Sequence, residues 1–336
     1  MPRRRRLPPR SLALVASLVL AGLACDLPLG AGAGAGQTTT AAPVQVLVEP
    51  DAGPDAVRAL LANARRALWT EMYLLTDTST IQALVARRLA GVDVRVILEP
   101  HPYQADGAND EAFAELAAGG VDVAWASPRF ALTHAKLAVV DHARLVVLTL
   151  NLTRAGLSGN REYAIVDDDA RDVAAADALM AADLTGVSAP GGAAGRVLAS
   201  PTTTRPALAA AIARAKRTVS IETEEVSDVA IVAALVDARA RGCAVSIALP
   251  GSGASPATND AARRLAAAGV TVRFVDVPAV HAKAVVADAW LYVGSANLTA
   301  ASLDTNREVG LGLADAAALR LVAGTIASDL ARGRPP

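Results

Sequence analysis

The run His134-Ala-Lys136-Leu-Ala-Val-Val-Asp141, with Leu148-Thr149-Leu-Asn151 behind it, decides the fold because the chain carries it twice. The second copy reads His281-Ala-Lys283-Ala-Val-Val-Ala-Asp288, then Gly294-Ser295-Ala-Asn297. An Asn-Arg-Glu follows each copy, ending at Glu162 and at Glu308. The 336 residues include four histidines and three lysines, and two of each stand at equivalent places in the repeat. Residue types this scarce, spent in duplicate, imply one active site assembled from two halves.

The repeat extends well beyond the motifs. Ala64–Asp77 (ARRALWTEMYLLTD) matches Ala215–Asp228 (AKRTVSIETEEVSD) at an offset of 151, and Val94–Leu98 matches Val245–Leu249 at the same offset. The His-Lys motifs match at 147 and the Asn and Glu positions at 146, so the second copy has lost one residue after Asp288 and a tightened hairpin is expected there. A period near 150 residues means duplicated domains, not a solenoid. Strand-like and helix-like stretches alternate in the first copy: strands at 44–48, 67–73, 92–98, 121–124, 135–140, 145–150 and 162–166, and helices at 54–66, 79–89, 110–118 and 173–182. The second copy repeats the order from Arg196 to Leu330. The pattern predicts an α/β protein of two tandem domains, residues 44 to 187 and 195 to 333. Each is a mixed sheet flanked by helices, and the two are related by pseudo-twofold symmetry, with a boundary at Ser188-Ala-Pro-Gly-Gly.

In a strand, side chains at i and i+2 share a face. His134 therefore projects with Lys136, His281 with Lys283, Thr149 with Asn151, and Ser295 with Asn297. Asp141 and Asp288 have the opposite parity and fall at a hairpin turn, which suits a structural role. An imidazole, an ammonium, a hydroxyl and an amide from each half suit a phosphate. Two facing halves place a nucleophile and a proton donor on opposite sides of one phosphorus. The run Glu222-Thr-Glu-Glu225 aligns with Glu71-Met-Tyr-Leu; Glu71 and Glu222 are equivalent and read either as helpers of a motif lysine or as a solvated face.

The constellation resembles the phospholipase D superfamily, marked by a duplicated His-x-Lys-x4-Asp followed by Gly-Ser-x-Asn. The resemblance implies a covalent phosphohistidine, with one histidine as nucleophile and the other as acid and base. It assigns His134 as nucleophile, the more frequent role of the N-terminal histidine, and His281 as acid/base. Lys136, Lys283, Asn151 and Asn297, with Thr149 and Ser295, would hold the phosphate. Glu162 and Glu308 would fix the histidine tautomers. No metal or other cofactor is required. The first copy departs from the pattern at Leu148, where glycine is preferred, and loses backbone freedom beside the phosphate.

The N-terminus has its own logic. Arg3, Arg4, Arg5, Arg6 and Arg10 precede the apolar run Leu12 to Ala24, which reads as an export signal over residues 1 to 25 and is short for a spanning helix. Ala21-Gly22-Leu23-Ala24-Cys25 resembles a bacterial lipoprotein signal with Cys25 as the acylated residue, though its leucine is one place late. The small, low-complexity residues of segment 26–43 read as a flexible linker. The expectation is an exported protein, either a membrane-anchored lipoprotein or periplasmic or extracellular. Without the five leader arginines, 27 basic side chains face 33 acidic ones, and the chain has ten aromatics. That balance disfavours nucleic acid, which needs a basic groove with stacking rings. The expected partner is a phospholipid or another phosphodiester, met by a pseudo-dimeric monomer that hydrolyses it or transfers its phosphatidyl group. A nuclease of the same superfamily, a cardiolipin synthase-type transferase and a catalytically weak binding lipoprotein are the alternatives.

Overall fold

The computed structural model describes residues 42–186 and 195–336. The expected signal with Cys25, nearly all of the expected linker and the Ser188 junction lie outside the described residues. The first half runs β1 (Gln45–Glu49), α1 (Pro54–Ala62), β2 (Ala67–Met72), α2 (Thr78–Leu89), β3 (Asp93–Leu98), α3 (Asp110–Ala118), β4 (Asp122–Trp125), β5 (Lys136–Val140), β6 (Arg144–Leu148), α4 (Arg154–Ser158), β7 (Asn160–Asp167) and α5 (Ala170–Thr185). The second runs β8 (Val197–Ser200), α6 (Thr204–Arg214), β9 (Thr218–Thr223), α7 (Val229–Ala240), β10 (Ala244–Pro250), α8 (Pro256–Ala267), β11 (Thr271–Val275), β12 (Ala279–Val280), β13 (Lys283–Ala287), β14 (Trp290–Gly294), α9 (Ala300–Asp304), β15 (Glu308–Leu313) and α10 (Ala316–Arg332).

Among the described residues the sheets have the strand orders β1-β7-β6-β5-β2-β3-β4 and β8-β15-β14-β13-β9-β10-β11, the same sequence of equivalent strands. In each, three strands are parallel and the rest antiparallel. Three of the five pairs of equivalent helices among the described residues share their N-cap residue. Asp77 and Asp228 cap α2 and α7, Asp169 and Asp315 cap α5 and α10, and Thr153 and Thr299 cap α4 and α9, each accepting from a first-turn N–H.

Each sheet is covered on both faces, which is why its strands read as nearly continuous apolar runs. The outer face of the first sheet packs on α1 to α3 through Leu68, Val96, Leu84 and Leu116. The outer face of the second packs on α6 to α8 through Ile221, Ile247, Leu235 and Leu265. The inner faces share one core: Leu137, Val147 and Ile165 meet Val293, Val309 and Leu311, with Met180 of α5 and Val322 of α10 in the same cluster. Two half-sites are thereby fixed against each other by buried apolar surface.

Two readings change, and the expected tightening of the second hairpin is seen. The first helix ends at Ala62, not at residue 66, because the Asp141 carboxylate takes the backbone N–H groups of Arg65, Arg66 and Ala67 at 2.6 to 3.2 Å. The equivalent Asp288 takes those of Lys216, Arg217 and Thr218. Both aspartates thus pin the strand entering beside the motif. Glu71 and Glu222 form no solvated face; they are buried at the inner sheet face, where Glu222 accepts from the Tyr163 hydroxyl at 2.6 Å. The residue missing from the second copy comes out of the hairpin: β5 and β6 close at Val140 opposite Arg144, whereas β13 and β14 close at Ala287 opposite Trp290. Asp141 and His142 take positive φ in the longer turn, and Asp288 alone does so in the shorter.

Candidate active site

Each motif lysine opens a strand, β5 or β13, and each histidine stands two residues earlier, on the segment approaching it. That approach belongs to the other half's sheet. Thr133 bridges Arg307 in parallel, and the His134 N–H donates to the Arg307 carbonyl at 2.8 Å. Reciprocally, β12 pairs with the start of β7, Val280 opposite Arg161, and the His281 N–H donates to the Arg161 carbonyl at 3.3 Å. Glu162 and Glu308 follow those arginines directly, so each histidine meets the glutamate of the opposite copy.

His134 Nδ1 lies 2.9 and 3.1 Å from the two Glu308 oxygens. His281 Nδ1 lies 2.5 Å from Glu162 Oε1, close but off the line of a hydrogen bond. Burial would raise both carboxyls, yet His134 and Lys136 hold Glu308, and His281 and Lys283 hold Glu162, below the usual carboxylate range. A carboxylate on Nδ1 leaves Nε2 as the reactive nitrogen of His134. Burial pushes the His134 ring down against the opposing pull of Glu308, with the Lys136 and Lys283 charges adding to burial, so the ring is neutral at neutral pH. The two histidine side chains keep 11% and 19% exposure, enough to meet a ligand edge-on.

Lys136 and Lys283 are buried beneath the histidines. Each ammonium donates to the carbonyl of its own histidine, at 2.9 and 2.5 Å. Burial and the neighbouring Lys283 charge bring Lys136 down to about 7. Asn151 and Asn297 stand just past β6 and β14, and each keeps a buried amide oxygen with no hydrogen-bond partner. Two asparagine amides, whose N–H₂ groups donate, and two ammonium groups beside two imidazoles make a cradle for a tetrahedral anion. Among the described residues no three His, Cys, Asp or Glu side chains converge as metal ligands.

The hydroxyls are spent elsewhere. Thr149 donates to Glu162 at 2.6 Å and accepts from the Tyr163 N–H, while Ser295 bonds the Val309 backbone. Both are fully buried, so their place is behind the glutamates rather than in the cradle. Leu148 is likewise a packing feature. A Cβ at Gly294 would lie 2.4 Å from the Gly310 Cα and 2.6 Å from the Tyr292 hydroxyl. The first copy has the smaller Val146 in place of Tyr292, and Leu148 packs in the outer core.

Four participants escaped the sequence reading. The arginines of the two Asn-Arg-Glu runs are buried cross-half ties: Arg161 to Asp329 at 2.7 Å and Arg307 to Asp183 at 2.6 Å. Tyr73 packs edge-on to His134, ring centroids 4.5 Å apart, under the Lys136 ammonium. Its equivalent at the offset of 151, Glu224, contacts Lys283 at 2.9 Å. The signal was their shared place just past equivalent strands β2 and β9, where α/β sheets place their sites.

The doubled sheet and the paired His-Lys-Asn cradle define a tandem phospholipase D-like protein. The chain belongs to the family described as cardiolipin synthase, PLD-like domain, whose profile matches residues 57–184 and 208–330. Among solved structures, the chain resembles phosphatidylserine synthase of Haemophilus influenzae Rd KW20 at a TM-score of 0.67 and 12% identity, over 88% of this chain and 87% of that one. It also resembles polyphosphate kinase of Porphyromonas gingivalis at 0.67 and 15% identity, over 85% of this chain. It spans half the length of that kinase. No curated protein matches the chain.

Proposed function

We propose that the protein cleaves phospholipid phosphodiesters through a phosphohistidine on His134. The carrying observation is that each imidazole has its Nδ1 against a buried carboxylate of the other half, leaving both Nε2 atoms for chemistry around one anion cradle. His134 Nε2 attacks phosphorus, and the bond to the leaving alcohol breaks as His281 gives that oxygen a proton. His281 then takes a proton from the incoming water, which attacks phosphorus and breaks the P–N bond. Lys136, Lys283, Asn151 and Asn297 neutralise the oxygens throughout. The neutral, buried His134 ring favours it as nucleophile. Export and lipidation at Cys25, with the net-acidic body, favour a lipid over a nucleic acid.

An acceptor alcohol in place of water makes the same site a phosphatidyltransferase. The family description and the phosphatidylserine synthase fold support that second reading. Purified residues 42–336 incubated with phosphatidylcholine or phosphatidylglycerol vesicles, with and without added glycerol, separate the two. Free headgroup and phosphatidic acid mark hydrolysis; a new phosphatidyl alcohol marks transfer. Neither product, with the protein folded, would refute both.

A further inference from the structure

The two cradles differ in one respect. In the second half a single oxygen, Glu224 Oε2, lies 2.9 Å from Lys283 Nζ, 3.2 Å from Asn297 Nδ2 and 3.5 Å from His281 Nε2. These are the ammonium, the amide and the reactive ring nitrogen that the proposed function assigns to a phosphate oxygen. In the first half Tyr73 holds the equivalent position, its ring beneath Lys136 and its hydroxyl accepting from the Tyr103 N–H. Among the described residues no carboxylate oxygen comes within 4.0 Å of Lys136 Nζ. One half-cradle is open and the other holds an internal anion.

We propose that Glu224 is a specificity-determining residue, an internal anion that the substrate phosphate must displace from Lys283 and Asn297. The inference rests on the phosphodiester reading of the site. The carboxylate has a way out, since its side chain is 33% exposed. It cannot go far, because its N–H is held by the Ala282 carbonyl at 3.1 Å. Burial opposes its charge, but Lys283 and His281 keep it ionised well below the usual carboxylate range. A displaced carboxylate at the mouth repels a dianion twice as strongly as a monoanion at the same distance. Glu224 therefore favours phosphodiester monoanions and selects against phosphomonoester dianions and free phosphate.

The test is calorimetric titration of tungstate, a dianion, and diphenyl phosphate, a monoanion, into the wild type, Glu224→Gln and Glu224→Tyr. The second variant installs the residue of the first half, and thermal melts establish which variants fold. At about pH 6, where Lys136 is charged, tungstate binds a folded variant about tenfold tighter or more, and diphenyl phosphate gains less. Unchanged, weaker or probe-independent affinity overturns the proposal and leaves the phosphodiester reading standing. No binding of either anion to any of the proteins overturns both.

Discussion

Replacing Glu308 with glutamine disables His134, although the two residues lie in different halves of the chain. Glu308 has no exposed side-chain surface, and its oxygens sit 2.9 and 3.1 Å from His134 Nδ1. The Ser302 hydroxyl donates to Oε1 at 2.6 Å and keeps an oxygen there, so the new amide N–H₂ turns toward the ring. Nδ1 must then accept, the proton moves to Nε2, and the nucleophilic lone pair is lost. The lost charge-assisted bond is worth about 1.5–3 kcal/mol, about ten- to two-hundredfold in rate. A ring trapped in the wrong tautomer costs up to about 10⁴-fold. The assay is stopped-flow release of nitrophenolate from bis-p-nitrophenyl phosphate. This leaving group departs without a proton, so the first step needs His134 and not His281. Glu162→Gln impairs the His281 step: it keeps a near-stoichiometric burst, turns over slowly and accumulates a p-nitrophenyl phosphoryl group on His134, visible by mass spectrometry. Glu308→Gln shows no burst. A burst in Glu308→Gln and none in Glu162→Gln would invert the roles of the histidines. Equal bursts would refute the pairing of each glutamate with one chemical step.

Three further outcomes follow from the same geometry. Glu222, raised to about 7 by burial, binds a proton more tightly in the folded chain than in the unfolded one. The stability that Glu222 contributes below about pH 5, about 3 kcal/mol, is therefore lost as pH rises to about 8, and Glu222→Gln removes that part of the pH dependence; parallel pH profiles of melting temperature for the two proteins would contradict this. Asp141→Ala frees three backbone N–H groups at the entry to β2 and costs about 1–3 kcal/mol of stability in urea titrations, with the activity of the folded fraction largely kept; loss of activity in a fully folded variant would place Asp141 in the chemistry. Because Lys136 titrates at about 7 and must be charged to hold an anion, tungstate affinity weakens above about pH 7, and binding at about pH 8 takes up a proton, measured as a dependence of binding heat on buffer ionisation enthalpy; no proton uptake would show that Lys136 is already charged.

The succession of strands and helices along the chain, the duplication and the family were legible because they depend on local pattern. Apolar runs of strand length, aspartates and threonines at helix starts, and a shortened link at Asp288 all act on neighbours in sequence, and the sheet obeyed them. The solvated alternative for Glu71 and Glu222 fails because a carboxylate on a strand signals solvent unless a second sheet covers it, and that sheet belongs to the other half. Thr149 and Ser295 share parity with the asparagines, but parity gives a direction and not a partner; Glu162 and the Val309 backbone claimed the hydroxyls first.

By itself the sequence determined that two equivalent half-sites exist and which residue types furnish them. Only the tertiary structure decided how they combine. The approach to His134 pairs with the strand carrying Glu308, and the approach to His281 with the strand carrying Glu162. The placement of Glu224 against Lys283, and of Tyr73 against Lys136, follows from the pairing of β9 with β13 and of β2 with β5 within each half. The cross-half contacts, spanning up to 174 residues of chain, are set by which apolar faces bury each other. The pseudo-twofold packing of the two inner sheet faces makes that choice, and no local periodicity encodes it.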